Sequence, residues 1–487
     1  MLYGVKRQPQ KSALLTAVQV PHLPFIGGAG AITIVCYPTA VIVMKFGGTS
    51  VEDAAAIDRS CGIVKERISQ RPFVIVSALG GATNGLLEAG SFAARGEIGK
   101  AMTIADRLEY RHSELLPTTA EHFVRLRELL KALAAIGEFS PRTQDLVASY
   151  GEALSSLIFA ERMKRLGCDA VHIDARQCVV TDDRFGKAAP IMDVTSSRLE
   201  QAARSHLDAG RVVVMGGYIA STLAGTVTTL GRGGSDYSAA IVGAALTAEE
   251  IQIWTDVDGM MTADPRIVSS AWKVKEISFD EASELAYFGA KVLHPLTVLP
   301  AVEKNIPVYI LNSRKPIGTG TRITREARPC RNIIKSIACK REITVVTVSS
   351  SRMLMAHGFL KALFEVFDRH HTSVDMVATS EVSVSLTLDN VSSLEMIVQD
   401  LKQLGDVEVS SKKALICLVG NNLKYTPGVA RRAFGSLADI NILMVSHGAS
   451  NINFSFLLDE KDANVAIQKL HGDFFSEVDE EVFEPVS

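Results

Sequence analysis

Two stretches of this 487-residue chain put glycines and a cation where a short apolar run ends. The first is Lys45-Phe46-Gly47-Gly48-Thr49-Ser50, after the β-branched run 41–44. Glycines at a strand's C-terminal end let backbone N–H groups approach a phosphate, and a following helix start adds a favourable dipole. Lys45 supplies positive charge. The order of residues is not that of a P-loop, so a different nucleotide fold is required; alone, the stretch reads equally as a tight turn with a solvated lysine. The second is Thr229-Leu230-Gly231-Arg232-Gly233-Gly234-Ser235-Asp236-Tyr237-Ser238, three glycines and an arginine opening a helix. It makes a second anion cradle, or else a flexible loop capped by Ser235 or Asp236. Two cradles suit a reaction between two anionic partners.

A third stretch, Trp254-Thr255-Asp256-Val257-Asp258-Gly259-Met260-Met261-Thr262-Ala263-Asp264-Pro265-Arg266, runs from a strand into a loop of acids and turn formers. Its aspartates suit Mg²⁺, ribose, or simple turn stabilisation. The fourth, Phe288-Gly289-Ala290-Lys291-Val292-Leu293-His294-Pro295, closes a helix beside a lysine, a place where a C-cap also tolerates a cation.

The elements that must position these groups follow from periodicity. Short apolar runs at 41–44, 73–76, 171–173, 211–215, 251–254 and 307–311 alternate with amphipathic stretches, which implies a largely parallel sheet covered by helices. Between Lys100 and Leu166 the spacing of Phe123, Leu126, Leu129, Leu130 and Leu133 is helical. After about residue 341 one unit occurs twice: a β run, a glycine opening a helix, then two alternating strands. The same 31 positions separate Gly358 from Asp389 and Gly428 from Asp459. Matching elements at equal spacing predict tandem βαββ repeats, whose exposed edges invite pairing between copies.

Composition bounds the class. The chain is 47% hydrophobic and 22% charged, with a formal net charge of −3, which offers no nucleic-acid-binding surface. Seven scattered cysteines without a C-x-x-C pair suggest neither a disulfide framework nor a zinc site, and point to a cytoplasmic setting. No apolar run reaches the roughly 20 residues that span a bilayer, since Lys45 and the glycines interrupt the richest stretch. Residues 1–40 read as an appendage that is poorly ordered, a targeting peptide, or the product of a misplaced start.

In this order the four stretches resemble the aspartate kinase family from about Val41 to the C-terminus, and the repeats resemble its paired ACT domains. The resemblance implies an α/β amino-acid-kinase-like domain, with a mainly parallel sheet sandwiched by helices, over 41–320. Two βαββ-type ACT domains would follow at 335–410 and 411–487, the C-terminal end returning to the first. It implies transfer of phosphate from ATP, with Mg²⁺, to the side chain of L-aspartate, giving 4-phospho-L-aspartate for lysine, threonine and methionine (diaminopimelate) biosynthesis. By position, Lys45 and Asp236 would be catalytic, and Thr83, Glu152, Arg232 and Ser235 would hold aspartate. Lys45, Gly47, Gly48, Thr255, Asp256, Met261, Asp264, Arg266 and Lys291 would surround ATP, with no fixed protein metal site. Met261 replaces a tyrosine usual in relatives, so weaker nucleotide selectivity is expected. The first repeat resembles the lysine-inhibited branch, implying an effector site of Met353, Gly358, Phe359, Leu360, Ser373, Val374, Asp375, Thr379, Ser380 and Glu381. Ala356 stands where a relative carries serine. A homodimer or dimer of dimers through the repeats is expected.

Three rivals differ in what they require. Another carboxylate or nucleotide kinase of the superfamily should lack the repeats and the Phe-Gly-Ala-Lys loop. A degenerate sensor should have lost Lys45, Arg232 or Asp236, yet all three are present. A fusion to homoserine dehydrogenase would need a dinucleotide-binding domain beyond the repeats.

Overall fold

The computed structural model describes residues 41–289, 295–353 and 357–485. The extension 1–40, Lys291 and Ala356 therefore lie outside the described residues.

The runs expected to be strands pair into one eight-stranded sheet. Its order is Glu276–Ser278, Thr321–Thr324, Val308–Asn312, Glu250–Thr255, Ile42–Phe46, Pro72–Val76, Val212–Gly216 and Ala170–Ile173. The last six are mutually parallel, and the two at the other edge run in reverse. Near-continuous apolar composition is what a sheet covered on both faces requires. Ile42, Met44, Phe46, Val74 and Val76 pack on one face against Ile57, Leu86, Leu108, Phe123 and Phe159. Val43, Phe73, Ile75, Val213 and Met215 pack on the other against Leu199, Leu207, Ile241 and Leu246.

The helical stretch resolves into Ile98–Leu115, Ala120–Ile136 and Pro141–Arg165. Gly137, at φ 74°, ends the second, while Ser140 accepts the Thr143 N–H and Pro141 opens the third. That third helix is the one that reaches the functional edge of the sheet.

The repeats form a separate six-stranded antiparallel sheet in the order Val377–Thr379, Ser383–Leu388, Ser336–Ser349, Asp406–Val419, Asn453–Asp459, Ile442–His447. Gly358 and Gly428 are both left-handed, φ 85° and 82°, at the starts of helices Phe359–Arg369 and Val429–Ser436. The equal spacing seen in sequence thus marks equivalent turns. Ser336–Ser349 pairs with Asp406–Val419 from Ser336↔Val419 to Ser349↔Asp406, across an irregularity at 340–345. Both long strands serve both repeats, so the two units interleave rather than meeting at 410/411. The C-terminus also differs from expectation: Phe483–Pro485 pairs with Trp272–Val274 of the catalytic half, not with the first repeat. The helix Phe279–Tyr287 joins the halves through a buried Glu281–Lys335 ion pair at 2.9 Å and a Glu284–Asn453 hydrogen bond at 2.7 Å.

Candidate active site

The parallel strands end along one edge, the usual ligand side of such sheets. Gly47 N–H donates to the Trp254 carbonyl (3.0 Å), Ser77 N–H to Phe46 (3.0 Å) and Gly217 N–H to Val76 (2.9 Å), so four strand ends are tied together. Between them lies a cavity of about 400 Å³ lined by Lys45, Ser77, Thr83, Glu152, Gly186, Tyr218 and Gly231–Asp236. The structure thus brings together Lys45, Asp236, Thr83, Glu152, Arg232 and Ser235, drawn from four separate parts of the sequence.

Lys45 lies within its strand rather than after it, and is 8% exposed. Its Nζ is 2.6 Å from Asp236 Oδ1. Asp236 sits in the first turn of helix Gly234–Leu246, where a carboxylate gains from the dipole. Gly231 and Gly233, at φ 77° and 71°, fold the loop before that helix into a conformation that other residues resist. Arg232, between them, is exposed and has no hydrogen-bond or ion-pair partner among the described residues. Its guanidinium is available to an anion.

Glu152 is nearly fully buried, yet its Oε2 has no hydrogen-bond partner among the described residues. Burial pushes its carboxyl up to about 8; N–H groups of Ala78 and Glu152 itself, and the charge of Lys45, pull the other way without prevailing. Its depth is set by Gly216, where an added Cβ would lie 2.9 Å from the Glu152 carbonyl oxygen. Only a bare strand end lets the helix come so close. Such a carboxyl is built to receive a cation.

Sequence reasoning missed Ser77, Gly186 and Tyr218. Tyr218 has φ 63°, held by its N–H to Ser238 Oγ and its carbonyl to Leu230 N–H, both 2.9 Å. Backbone held there costs about 1–3 kcal/mol and concentrates at functional positions. The pair Gly216-Gly217 just before it was the available signal, an unusual closing for a buried strand.

The residues expected around ATP are less gathered. Gly47 and Gly48 sit at the strand end beside Lys45, and Thr255 ends the neighbouring strand with Asp256 exposed next to it. Asp264 and Arg266 form a two-point ion pair with each other, and Met261 packs partly buried against the core; none of the three lines the cavity. A second cavity of about 470 Å³, lined by Asp258, Lys273, Asn312, Arg314 and Lys315 among others, contains none of the expected residues. Burial opposes ionisation of Asp258, but hydrogen bonds from Asn312 and Lys315 outweigh it and hold the carboxyl below its usual range.

In the first repeat, Ser373, Thr379, Ser380, Glu381, Gly358 and Leu360 are exposed, while Met353, Phe359 and Val374 are half-buried. Asp375 is not an open strand end. Its side chain is 1% exposed, takes the Tyr287 hydroxyl at 2.5 Å and pairs with Lys340 at 3.0 Å.

Fold and cavity define an amino acid kinase carrying a regulatory sheet. The amino acid kinase family model matches residues 40–312, and an ACT domain model matches 416–474. Lysine-sensitive aspartokinase 3 of Escherichia coli K12 is 39% identical over 448 residues, covering 89% of this chain and 99% of that one. Aspartokinase 2, chloroplastic, of Arabidopsis thaliana is 36% identical, covering 89% and 84%. Among solved structures, E. coli aspartokinase III with aspartate and ADP superposes at TM-score 0.77 and 39% identity, over 89% of this chain and all of that one. The same enzyme with lysine and aspartate gives 0.78 and 38%, over 89% and 99%. The chain belongs to the aspartokinase family. Its activity is ATP-dependent phosphorylation of aspartate.

Proposed function

We propose that the 400 Å³ cavity holds L-aspartate between Arg232 and Glu152, with its side-chain carboxylate directed at Lys45. The observation that carries this is a guanidinium and a buried carboxyl oxygen, both without a partner among the described residues, across one small cavity. An amino acid presents the complement, a carboxylate and an ammonium. Thr83 and Ser235, on the first turns of two helices, complete the polar wall. The substrate carboxylate, with a reference pKa of about 4, is already ionised at pH 7, so no general base is needed. The task is charge neutralisation. Lys45, the Gly48 N–H and the helix start at Gly234 offset repulsion between two anions and hold them in line.

ATP lies along the strand ends, from Lys45, Gly47 and Gly48 to Thr255 and Asp256. The loop carrying Met261, Asp264 and Arg266 completes that side. Mg²⁺ binds mainly through phosphates and needs only one or two carboxylates rather than a cage; Asp236, on the cavity wall, is the donor this chain offers. The ion would neutralise phosphate charge. The product is 4-phospho-L-aspartate, entering the diaminopimelate route.

Regulation by lysine fits the complex of E. coli aspartokinase III with lysine. Lysine would take Asp375 and Glu381 with its amines and the helix start at Gly358 with its carboxylate, the other first-repeat residues named above closing around it. Dimerisation through the repeats is supported by both edge strands, which expose Val377, Leu443 and Val445. A cytoplasmic setting is supported by free cysteines throughout the described residues. The test is Arg232→Lys. Losing the planar fork should raise KM for aspartate on the order of tenfold or more, with KM for ATP within about twofold. Equal changes in both constants would refute the placement.

A further inference from the structure

Asp145 is a buried carboxylate that the mechanism above does not use. It is 2% exposed and lies on the helix Pro141–Arg165, seven residues before Glu152. Seven residues are close to two helical turns, so both acids project from one face. Glu152 enters the cavity. Asp145 instead grips the two loops that make the facing walls. Its Oδ2 accepts the N–H groups of Gly186 (2.9 Å) and Thr229 (3.0 Å), and its Oδ1 accepts the Thr229 hydroxyl (2.6 Å). Thr229 is two residues before Gly231, and its carbonyl takes the Ala188 N–H at 2.9 Å, so the two loops are also laced to each other. They are in close contact as well: a Cβ on Gly231 would lie 2.9 Å from the Gly186 carbonyl oxygen.

We infer that Asp145 is a positioning residue for aspartate: it fixes the span between the Arg232 loop and Glu152, and so the length of acceptor the cavity takes. Asp145 touches neither substrate nor reacting atoms. One rigid helix face holds the ammonium acceptor directly and the carboxylate clamp at second hand. A longer homologue such as glutamate would need that span to change, and three hydrogen bonds to a buried carboxylate resist the change. Charge itself is not required, because an amide could place its oxygen on the two N–H groups and its NH₂ toward the Thr229 oxygen.

The inference rests on the placement of aspartate between Arg232 and Glu152, and the experiment separates the two. Steady-state constants for aspartate, glutamate and ATP are measured for the full-length enzyme and for Asp145→Ala, Asp145→Asn, Thr229→Val and Glu152→Gln. In Asp145→Ala, KM for aspartate should rise on the order of tenfold with KM for ATP within about twofold, and the kcat/KM preference for aspartate over glutamate should shrink. Asp145→Asn should recover most of the loss. Thr229→Val, which keeps both N–H bonds, should raise KM for aspartate by a smaller factor, so the inference stays testable even if the alanine variant does not fold. Parallel rises in both Michaelis constants, an asparagine variant no better than alanine, or an unchanged KM for aspartate in Thr229→Val would overturn it. If Glu152→Gln leaves KM for aspartate unchanged, the placement of substrate has failed and the inference falls with it. A rise in Glu152→Gln without one in Asp145→Ala overturns the inference alone.

Discussion

Glu152 makes the free enzyme's affinity for aspartate depend on pH in a direction that can be worked out. Burial raises its carboxyl to about 8, so the empty cavity holds it mostly protonated at neutral pH. An ammonium needs the carboxylate form. At one pH unit below that value about a tenth of the sites are ionised, which costs binding about 1.4 kcal/mol, a factor of ten. The amino group of aspartate stays charged through this window, so the enzyme alone sets the slope. KM for aspartate should fall roughly tenfold per unit between pH 6 and 7, flatten near 8, and be accompanied by release of up to one proton on binding. Stability has the opposite sign. A carboxyl raised from 4.5 to about 8 contributes stability below pH 4.5 that is lost as pH rises through 8. The unliganded enzyme should therefore lose melting temperature across that range, and Glu152→Gln should lose less. The assay is initial rate against aspartate from pH 6 to 8.5 at saturating MgATP, with calorimetric proton counting in two buffers. A flat KM profile, or the same slope in Glu152→Gln, would refute the reasoning.

Lys45→Ala should reduce kcat by about a thousandfold or more, because it removes the cation nearest the transferred phosphate. Since Lys45 is buried in a strand and paired with Asp236, the variant should also lose about 1–3 kcal/mol of stability, leaving a folded but inactive protein; activity lost only in proportion to unfolding would mark the lysine as structural. Tyr287→Phe removes the 2.5 Å hydrogen bond that holds Asp375 beside Lys340, so lysine should inhibit at about three- to tenfold lower concentration, discounted because Tyr287 is half exposed. Unchanged or weaker inhibition would show that Asp375 is not withheld from the effector. Asp375→Ala should lose lysine inhibition while kcat stays within about twofold of wild type.

What could be read from the chain was whatever a local pattern encodes. The six apolar runs became six parallel strands, because strands buried on both faces carry uninterrupted apolar residues. The glycine-rich stretches found the cavity, because a backbone that must approach an anion or turn left-handed needs glycine. Long-range pairing left no such mark. Nothing near residue 340 announces that one strand of 14 residues serves both repeats, or that Phe483–Pro485 returns to the catalytic half. Asp145 looked like any polar residue on an amphipathic helix, since its partners lie 41 and 84 positions away. Lys45 was expected after the strand and stands inside it, because a buried ion pair can be recognised only when Asp236 is known to be beside it.

The most direct test offers the purified enzyme MgATP with aspartate, glutamate or acetylglutamate in separate reactions. ADP release is coupled to an indicator, and the product is trapped with hydroxylamine. Phosphoryl transfer to a carboxylate predicts ADP formation and hydroxamate in equal amounts with aspartate, at least a hundredfold higher kcat/KM than with either other acid, and neither product in Lys45→Ala. ADP release without hydroxamate, or a preference for glutamate or acetylglutamate, would contradict the account.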